Sequence, residues 1–174
     1  MIQPTLRLPI IRIIIAITLI VGLGIVIPGR VSAQTFNDVP TDYWAFPFIE
    51  TLAASGITAG CGNDNFCPNA PVTRAQMAVF LERGIHGSEY SPPAATGTVF
   101  LDIAIDSFAA SFIEQLLLDG ITSGCGDEIY CPKYVVTRAQ MAVFLLRAKY
   151  GAGFSPPAAT GVFTDVSQIG RAHV

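Results

Sequence analysis

Charge is scarce in this chain, and positive charge is scarcest. Only 13% of the 174 residues are charged, with 10 basic and 13 acidic side chains. Residues 1–33 contain no acidic and no aromatic residue, yet they hold three of the arginines, which leaves 7 basic against 13 acidic residues in the remainder. A net charge of about −6 there argues against a nucleic-acid binder held by phosphate contacts. It argues equally against a polybasic protein that binds membrane surfaces.

Histidine is also scarce, and this limits the catalytic possibilities. The chain has only His86 and His173, which leaves little material for a histidine-based active site. No Gly-x-Ser-x-Gly motif occurs between Gln34 and Gln168. We therefore expect a protein that is not an enzyme and that needs no cofactor and no metal ion. His86 is expected to face solvent.

The amino-terminal segment has the pattern of an export signal. A basic region ends at Arg12, an apolar stretch runs from Ile13 to Ile27, and Val31-Ser32-Ala33 offers residues that a signal peptidase accepts. The alternative is an uncleaved membrane anchor, but fifteen apolar residues span only about 22 Å of helix, less than the roughly 30 Å hydrocarbon core. We predict a signal peptide at residues 1–33 and export of the rest to a compartment where disulfides persist.

The exported part is a tandem repeat. Phe36–Arg83 aligns with Phe100–Arg147 without a gap at an offset of 64 residues, and 27 of the 48 positions are identical. The connector SPPAATG occurs at 91–97 and again at 155–161, and residues 163–166 begin a third copy. Repeats of this kind are expected to bury their apolar faces against their neighbours.

These matches predict the organisation of the chain. The first repeat covers residues 34–91, the second covers 97–155, and the start of a third covers 162–168. Residues 169–174 do not continue the repeat and resemble the translation of a sequencing-library adapter. We expect this last segment to be a sequencing artefact, with the gene continuing into the third repeat.

Each repeat is predicted to fold as a helix, a long loop and a second helix. Apolar residues at helical spacing predict a first helix from Trp44 to Ser55, and Gly56 stands where a left-handed residue would end it. The second helix is predicted to start at Thr73, where Thr-Arg-Ala-Gln forms a capping box. The second repeat has the same features, with Gly120 and Thr137 at the matching positions. The expected fold class is mostly α.

Four cysteines lie in the two long loops, and they allow three pairings. Because the pattern recurs, we favour the local pairs Cys61–Cys67 and Cys125–Cys131, each of which closes the loop of its own repeat. The C-x5-C spacing differs from the close C-x2-C pairs of zinc ribbons. Asn63, Asp64 and Asn65 lack the ligand pattern of a calcium loop and are better explained as turn residues.

The motifs of the repeats resemble the S-layer homology (SLH) domain family. The resemblance covers both full repeats and the start of the third. It is carried in the first repeat by Phe36-x-Asp38-Val39, Trp44-Ala45, Ile49, Leu52, Gly56-Ile57-Thr58-x-Gly60, Phe66-x-Pro68-Asn69 and Val72-Thr73-Arg74-Ala75.

The resemblance implies both an architecture and a function. Members of the family usually carry three repeats that pack as a pseudo-trimeric helical bundle with grooves between neighbouring repeats. They anchor exported proteins non-covalently to the cell envelope, and the usual ligand is an acidic, often pyruvylated, peptidoglycan-linked wall polysaccharide. The resemblance therefore implies an envelope or S-layer location and a wall polysaccharide as partner. Because two repeats leave open the faces that a third would cover, an oligomer is a further option.

The resemblance also implies ligand-binding residues. By motif these are the arginine after the threonine cap, the aspartate near the repeat start, the aromatic residue and the loop glycine, namely Arg74, Arg138, Asp38, Asp102, Trp44, Gly60 and Gly124. Three departures are present. Glutamine stands in the capping box where glutamate is usual, Phe108 replaces the tryptophan in the second repeat, and cysteines flank a loop that is commonly free of them.

Other interpretations of these residues stay open. Trp44 could be a core or interface aromatic, and Asp38 and Asp102 could cap a turn. The arginines could pair with a nearby carboxylate, but a cation at the first helical turn opposes the helix dipole, so we favour an anion held by the arginine and the free helix N–H groups. Replacing either arginine should then reduce glycan binding without lowering the melting temperature.

The sequence thus predicts an anchoring protein of the cell envelope and leaves two alternatives. One is the targeting fragment of a larger extracellular enzyme whose catalytic domain follows residue 168. The other is a structural surface protein that assembles laterally through its repeats.

Overall fold

The computed structural model describes residues 34–158 and 160–166. The predicted signal peptide, the last two residues assigned to the start of the third repeat, and residues 169–174 lie outside these ranges. Four helices are present in the described part of the chain: α1 (Phe46–Ala54), α2 (Arg74–His86), α3 (Ala110–Leu118) and α4 (Arg138–Tyr150). The same residues contain no strand, only isolated β-bridges. The predicted mostly helical, helix–loop–helix arrangement is confirmed. None of these four helices has the length and apolar character needed to cross a membrane.

The second helix of each repeat begins as predicted. Thr73 accepts a hydrogen bond from the backbone N–H of Gln76, and the Gln76 side chain accepts one from the N–H of Thr73. Thr137 and Gln140 form the same reciprocal pair at the start of α4. These capping boxes satisfy amide groups that would otherwise lack an acceptor at the first turn.

The first helix is shorter than predicted. It begins at Phe46 rather than at Trp44, and no side chain caps its start. The preceding residues form turns instead, in which the N–H of Phe46 donates to the carbonyl of Tyr43 at 2.9 Å. The predicted end is confirmed to within one residue: α1 ends at Ala54, Ser55 is its C-cap, and Gly56 follows with a left-handed φ of 67°.

A buried glutamate on the first helix fixes the start of each repeat. Glu50 accepts the backbone N–H of Thr35 at 2.9 Å, and Glu114 accepts those of Thr96 at 2.8 Å and Gly97 at 2.9 Å. Both carboxylates are buried and are compensated by these charge-assisted hydrogen bonds. This role of the two glutamates was not predicted from the sequence.

The main core crosses the boundary between the repeats. α2 belongs to the first repeat by sequence, yet its buried face packs with residues of the second repeat in one cluster, which includes Met77, Leu81, Ile113, Leu116 and Phe144. A smaller cluster of Phe36, Val39 and Ile49 lies under the first half of repeat one. The packing unit is therefore not the sequence repeat but the second helix of one copy with both helices of the next.

Backbone hydrogen bonds join the two repeats as well. Thr73 and Val135 form an antiparallel bridge, in which the N–H of Val136 donates to the carbonyl of Val72 at 3.0 Å. The next donor, the N–H of Arg74, reaches the carbonyl of Tyr134 at 2.8 Å. The amino end of α2 is thereby fixed against the loop of the second repeat.

Candidate ligand groove between the repeats

A groove of about 460 Å³ lies where the start of α2 meets the second repeat. Its lining combines the Thr73 cap, the start-of-repeat Asp102, the aromatic Phe108 and the basic Lys133. Three of these, Thr73, Asp102 and Phe108, occupy motif positions identified from the sequence. The groove therefore joins one acidic, one basic and one aromatic side chain over a mostly apolar lining.

The aspartates at the repeat starts hold the glycine-rich loops. Asp102 accepts hydrogen bonds from the backbone N–H groups of Tyr130 at 2.8 Å and Cys131 at 2.7 Å. Asp38 accepts the N–H groups of Phe66 and Cys67 at 2.7 and 2.8 Å. Each aspartate reaches a loop about 28 residues downstream rather than capping a turn beside it. The hydrogen bond from Phe66 is the main cause that lowers the pKa of Asp38.

The loop glycines are required by close packing. Gly60 and Gly124 have φ angles of 80° and 91°, a region that favours glycine. A Cβ atom at Gly124 would lie 2.5 Å from the carbonyl oxygen of Ile129, and one at Gly60 would collide with the carbonyl oxygen of Asn65. These residues shape the loops that the aspartates hold.

Both predicted disulfides are present. Cys61–Cys67 and Cys125–Cys131 each close the loop of their own repeat, with Cα–Cα separations of 6.0 and 6.1 Å. No cysteine is left free. The local pairing that the repetition favoured is confirmed. The loop of each repeat is therefore fixed both by its disulfide and by the hydrogen bonds to its aspartate.

Arg74 lies inside the interface rather than on the groove surface. Only 2% of the residue is exposed, its Nε donates to the carbonyl of Tyr130 at 2.8 Å, and its Nη2 reaches the hydroxyl of Thr122 at 3.5 Å. The guanidinium also lies 4.6 Å from the centre of the Tyr130 ring. Burial lowers the pKa of Arg74. The arginine thus contacts the second repeat, and not the Asp38 carboxylate of its own repeat.

The N–H groups at the start of α2 are not free for an anion. The N–H of Arg74 donates to Tyr134, and that of Ala75 donates to the carbonyl of Pro132 at 3.0 Å. This differs from the expectation of an anion held by free helix N–H groups, because loop carbonyls of the next repeat take these donors. Direct ligand contact by Arg74 stays a prediction. It would involve Nη1, which is buried and has no hydrogen-bond partner among the described residues.

Arg138 differs from Arg74 although it occupies the matching sequence position. It is exposed and borders a shallow depression with Thr137, Met141 and Leu145. Among residues 34–158 and 160–166, its guanidinium has no hydrogen-bond or ion-pair partner. The difference arises because α2 has a following repeat packed on its start and α4 does not within the described chain.

The motif aromatics lie at the surface. Trp44 is 78% exposed and Phe108 is 70% exposed, so Trp44 is not a core residue among the described residues, and a role at an interface or in ligand contact stays a prediction. Only Phe108 lies in the groove described above. Trp44 contacts the Tyr43 ring at a centroid distance of 6.0 Å.

Sequence reasoning missed two functional candidates at this interface. Lys133 supplies the positive charge in the groove, but the first repeat has Asn69 at that position, so self-comparison gave no signal. Tyr130 is fully buried, and its hydroxyl donates to the carbonyl of Arg74 at 2.9 Å. Burial raises the pKa of this phenol well above its usual value. Its counterpart Phe66 has no hydroxyl, so the copies diverge here too.

Known proteins are similar to this chain over the region that contains these motifs. Residues 35–78 match the S-layer homology domain family. An endoglucanase of a Bacillus species is 31% identical over 142 residues, which cover 78% of this chain and 14% of the relative. The S-layer protein EA1 of Bacillus anthracis is 28% identical over 127 residues, which cover 72% of this chain and 14% of the relative.

A third relative is named for a different role. The cellulosome-anchoring protein of Acetivibrio thermocellus is 27% identical over 124 residues, which cover 69% of this chain and 27% of the relative. The chain thus spans about a seventh to a quarter of the lengths of these three relatives. An enzyme, a surface-layer protein and an anchoring protein therefore share with this chain only a limited region.

Proposed function

This chain carries an S-layer homology domain at residues 35–78, and on that premise we propose that it anchors non-covalently to the cell envelope through an acidic, peptidoglycan-linked wall polysaccharide. The domain and the surface-protein relatives identify an exported protein of the cell envelope. The domain is an anchoring module without catalytic function, so we propose that this chain itself is not an enzyme.

The groove between the repeats is the observation that carries this proposal. Phe108, 70% exposed, offers a flat apolar surface on which a sugar ring can stack. Lys133 brings a cation to the same groove and can attract a carboxylate on the glycan. Asp102 holds the adjoining loop through the amides of Tyr130 and Cys131, so the groove is preorganised and less entropy is lost on binding.

The predicted arginines enter this proposal in different ways. Arg138 is exposed and can give a planar two-bond grip on a carboxylate. Arg74 is buried under Tyr130, and we propose that it chiefly positions the loop that borders the groove. Asp38, Trp44 and Gly60 form the matching set in the first repeat, where the aromatic residue is already exposed.

We also propose that a third repeat completes the assembly. Leu81 on α2 is 5% exposed, whereas its counterpart Leu145 on α4 is 54% exposed. The arginines differ in the same way, since Arg74 is buried and Arg138 is exposed. Covering α4 with a unit like repeat two would bury this apolar surface and would bring a loop onto the start of α4. Residues 163–166 repeat the start motif of the earlier copies, which supports the continuation.

Two alternatives for the whole protein stay in view. The endoglucanase and an amylopullulanase of Thermoanaerobacterium thermosulfurigenes among the relatives favour a targeting module of a larger extracellular enzyme. The S-layer proteins among them favour a laterally assembling structural protein. Reading the genomic locus beyond residue 168 separates these possibilities, because a catalytic signature would follow only in the first case.

Binding to purified wall sacculi tests the anchoring role. Lys133→Ala and Phe108→Ala should each reduce retention of the exported protein at least fivefold, and added salt should weaken binding by the parent protein. The chain offers matched controls: Lys149, the only other lysine, and Leu118, which is 77% exposed, both lie outside the groove. Lys149→Ala and Leu118→Ala should bind normally. Equal retention of all four folded variants would reject the groove as the binding site.

A further inference from the structure

A second cluster of polar side chains joins the two repeats away from the groove. Glu82 and His86 lie one turn apart at the end of α2, and Asp119 directly follows α3. The Nε2 atom of His86 lies 3.3 Å from a Glu82 carboxylate oxygen and 3.1 Å from an Asp119 oxygen. The three potential ligand atoms all lie within 4.8 Å of one another.

Glu82 is the unusual member of this cluster. It is fully buried, and neither of its carboxylate oxygens accepts a well-aligned hydrogen bond from the described residues, so its polar contact among them is His86 Nε2 at 3.3 Å. A buried carboxylate without donors is costly, so its position close to His86 and Asp119 calls for a compensating group. Burial, followed by repulsion from Asp119, raises the pKa of Glu82 to about 7, while His86 opposes this shift.

The spacing of His86 from the two carboxylates suits a small divalent cation. Zinc binds imidazole nitrogen and carboxylate oxygen at about 2.0–2.2 Å, and a tetrahedron of such bonds has edges of about 3.3 Å. The two measured separations, 3.3 and 3.1 Å, match that edge. Calcium is a poorer candidate, because it prefers six to eight oxygen ligands, whereas imidazole favours zinc-like ions.

We propose that Glu82, His86 and Asp119 form a binding site for a zinc-like divalent ion that links the two repeats. Three protein ligands leave a fourth position for water. The side chains of His86 and Asp119 are 33% and 27% exposed, so an ion can enter from solvent. This differs from the expectation, drawn from the sequence, that the chain has no metal site. His86 is exposed, as expected, but it also contacts both carboxylates.

Neighbouring residues orient two of the ligands. The Nε2 of Gln115 donates to one oxygen of Asp119 at 2.8 Å, which leaves the other oxygen directed at His86. The ring of Tyr90 stacks on the imidazole at a centroid distance of 4.2 Å. Contacts of this kind limit ligand rotation and strengthen metal sites.

The site occurs at one interface only within the described repeats. At the offset of 64 residues, the counterparts of Glu82 and His86 are Leu146 and Tyr150, and the counterpart of Asp119 is Ser55. A bound ion would therefore fasten α2 specifically to the end of α3. The competing state is a protonated His86 that pairs with the two carboxylates and needs no ion.

Metal titration of the exported full chain distinguishes the two states. After treatment with a chelator and its removal, Zn²⁺ would be titrated at pH 8, because metal ligands bind in their deprotonated forms. We expect one tight site by calorimetry and a rise of several degrees in melting temperature, because a ligand of the folded state stabilises it. Co²⁺ in the same site should give the visible absorption of tetrahedral coordination.

Substitutions identify the ligands. His86→Gln and Asp119→Asn should each weaken Zn²⁺ binding at least tenfold and abolish the thermal shift. Asp127→Asn, at an exposed carboxylate of the second-repeat loop, should leave both unchanged. If the parent protein binds Zn²⁺ no better than His86→Gln, or if Zn²⁺ does not alter its melting temperature, the cluster is an ion pair only and the proposal is overturned. Wall binding by the Lys133 variants is a separate measurement, so either proposal can fail alone.

Discussion

Arg74 and Arg138 allow a comparison of one side chain in two environments. They share the sequence Thr-Arg-Ala-Gln-Met-Ala-Val-Phe-Leu, but Arg74 is 2% exposed and Arg138 is exposed. We predict that Arg74→Ala destabilises the protein strongly and that Arg138→Ala does not. This reverses, for Arg74 alone, the expectation from sequence that neither change would affect the melting temperature.

The magnitude for Arg74 follows from its contacts. Truncation removes the hydrogen bond to the Tyr130 carbonyl at 2.8 Å, which for a charged donor contributes about 1.5–3 kcal/mol. It also removes the cation–π contact at 4.6 Å, which contributes up to about 2 kcal/mol, and it leaves a cavity. Relief from burying a charge offsets part of these losses. We expect a net loss of about 3 kcal/mol, against less than about 0.5 kcal/mol for the exposed Arg138.

Equilibrium unfolding in urea, followed by circular dichroism on the exported form, measures both values. The variants should share the m-value of the parent protein, so that the difference in midpoint reports stability. Arg74→Met serves as a volume control and should recover part of the loss, since it refills the cavity without the hydrogen bonds. Equal destabilisation by Arg74→Ala and Arg138→Ala would refute the reasoning from burial.

Three further predictions concern the loops. Replacing Cys125 and Cys131 together by serine should lower the free energy of unfolding by about 2 kcal/mol, as the chain-entropy model gives for a loop of this length, and denaturant titration measures this. Gly124→Ala should cost about 1–3 kcal/mol because of its left-handed φ, whereas Gly126→Ala, whose Cβ would meet nothing nearer than 3.8 Å, should be neutral in the same assay. Because the pKa of Asp38 is lowered in the folded state, the stability it contributes is present above its ordinary value of 3.8 and is lost as pH falls through the folded pKa. Amide exchange in its loop should therefore accelerate in acid for the parent protein, and Asp38→Asn should remove most of that pH dependence.

The features predicted from sequence are those that depend on local chemistry. The capping box at Thr73 needs only residues three apart, the end of α1 needs a glycine at position 56, and each disulfide closes within its own loop. Repetition strengthened each of these signals, because the two copies carry the same residues. The start of α1 was misplaced, although Pro47 lies in its first turn, and proline at that place favours a start near Phe46 over one at Trp44.

The features that were missed depend on which repeat follows which. Comparison within the chain treats Arg74 and Arg138 as equivalent, but a neighbouring loop covers only the first of them. Lys133 and Glu82 gave no signal, because their counterparts, Asn69 and Leu146, differ. Aligning the two repeats highlights residues that both copies share, so a residue that acts at only one interface is not detected.

The antiparallel bridge between Thr73 and Val135 has a consequence for how such arrays evolve. Its hydrogen bonds run between main-chain atoms, which every residue except proline supplies equally. A junction of this kind keeps its partner when the adjoining side chains drift, so repeats can be duplicated, exchanged or recombined without matched changes at that join. Side-chain contacts such as that of Arg74 with Tyr130 then set the stability of each interface between repeats. An array can therefore vary the stability of successive interfaces while the same main-chain hydrogen bonds connect the repeats.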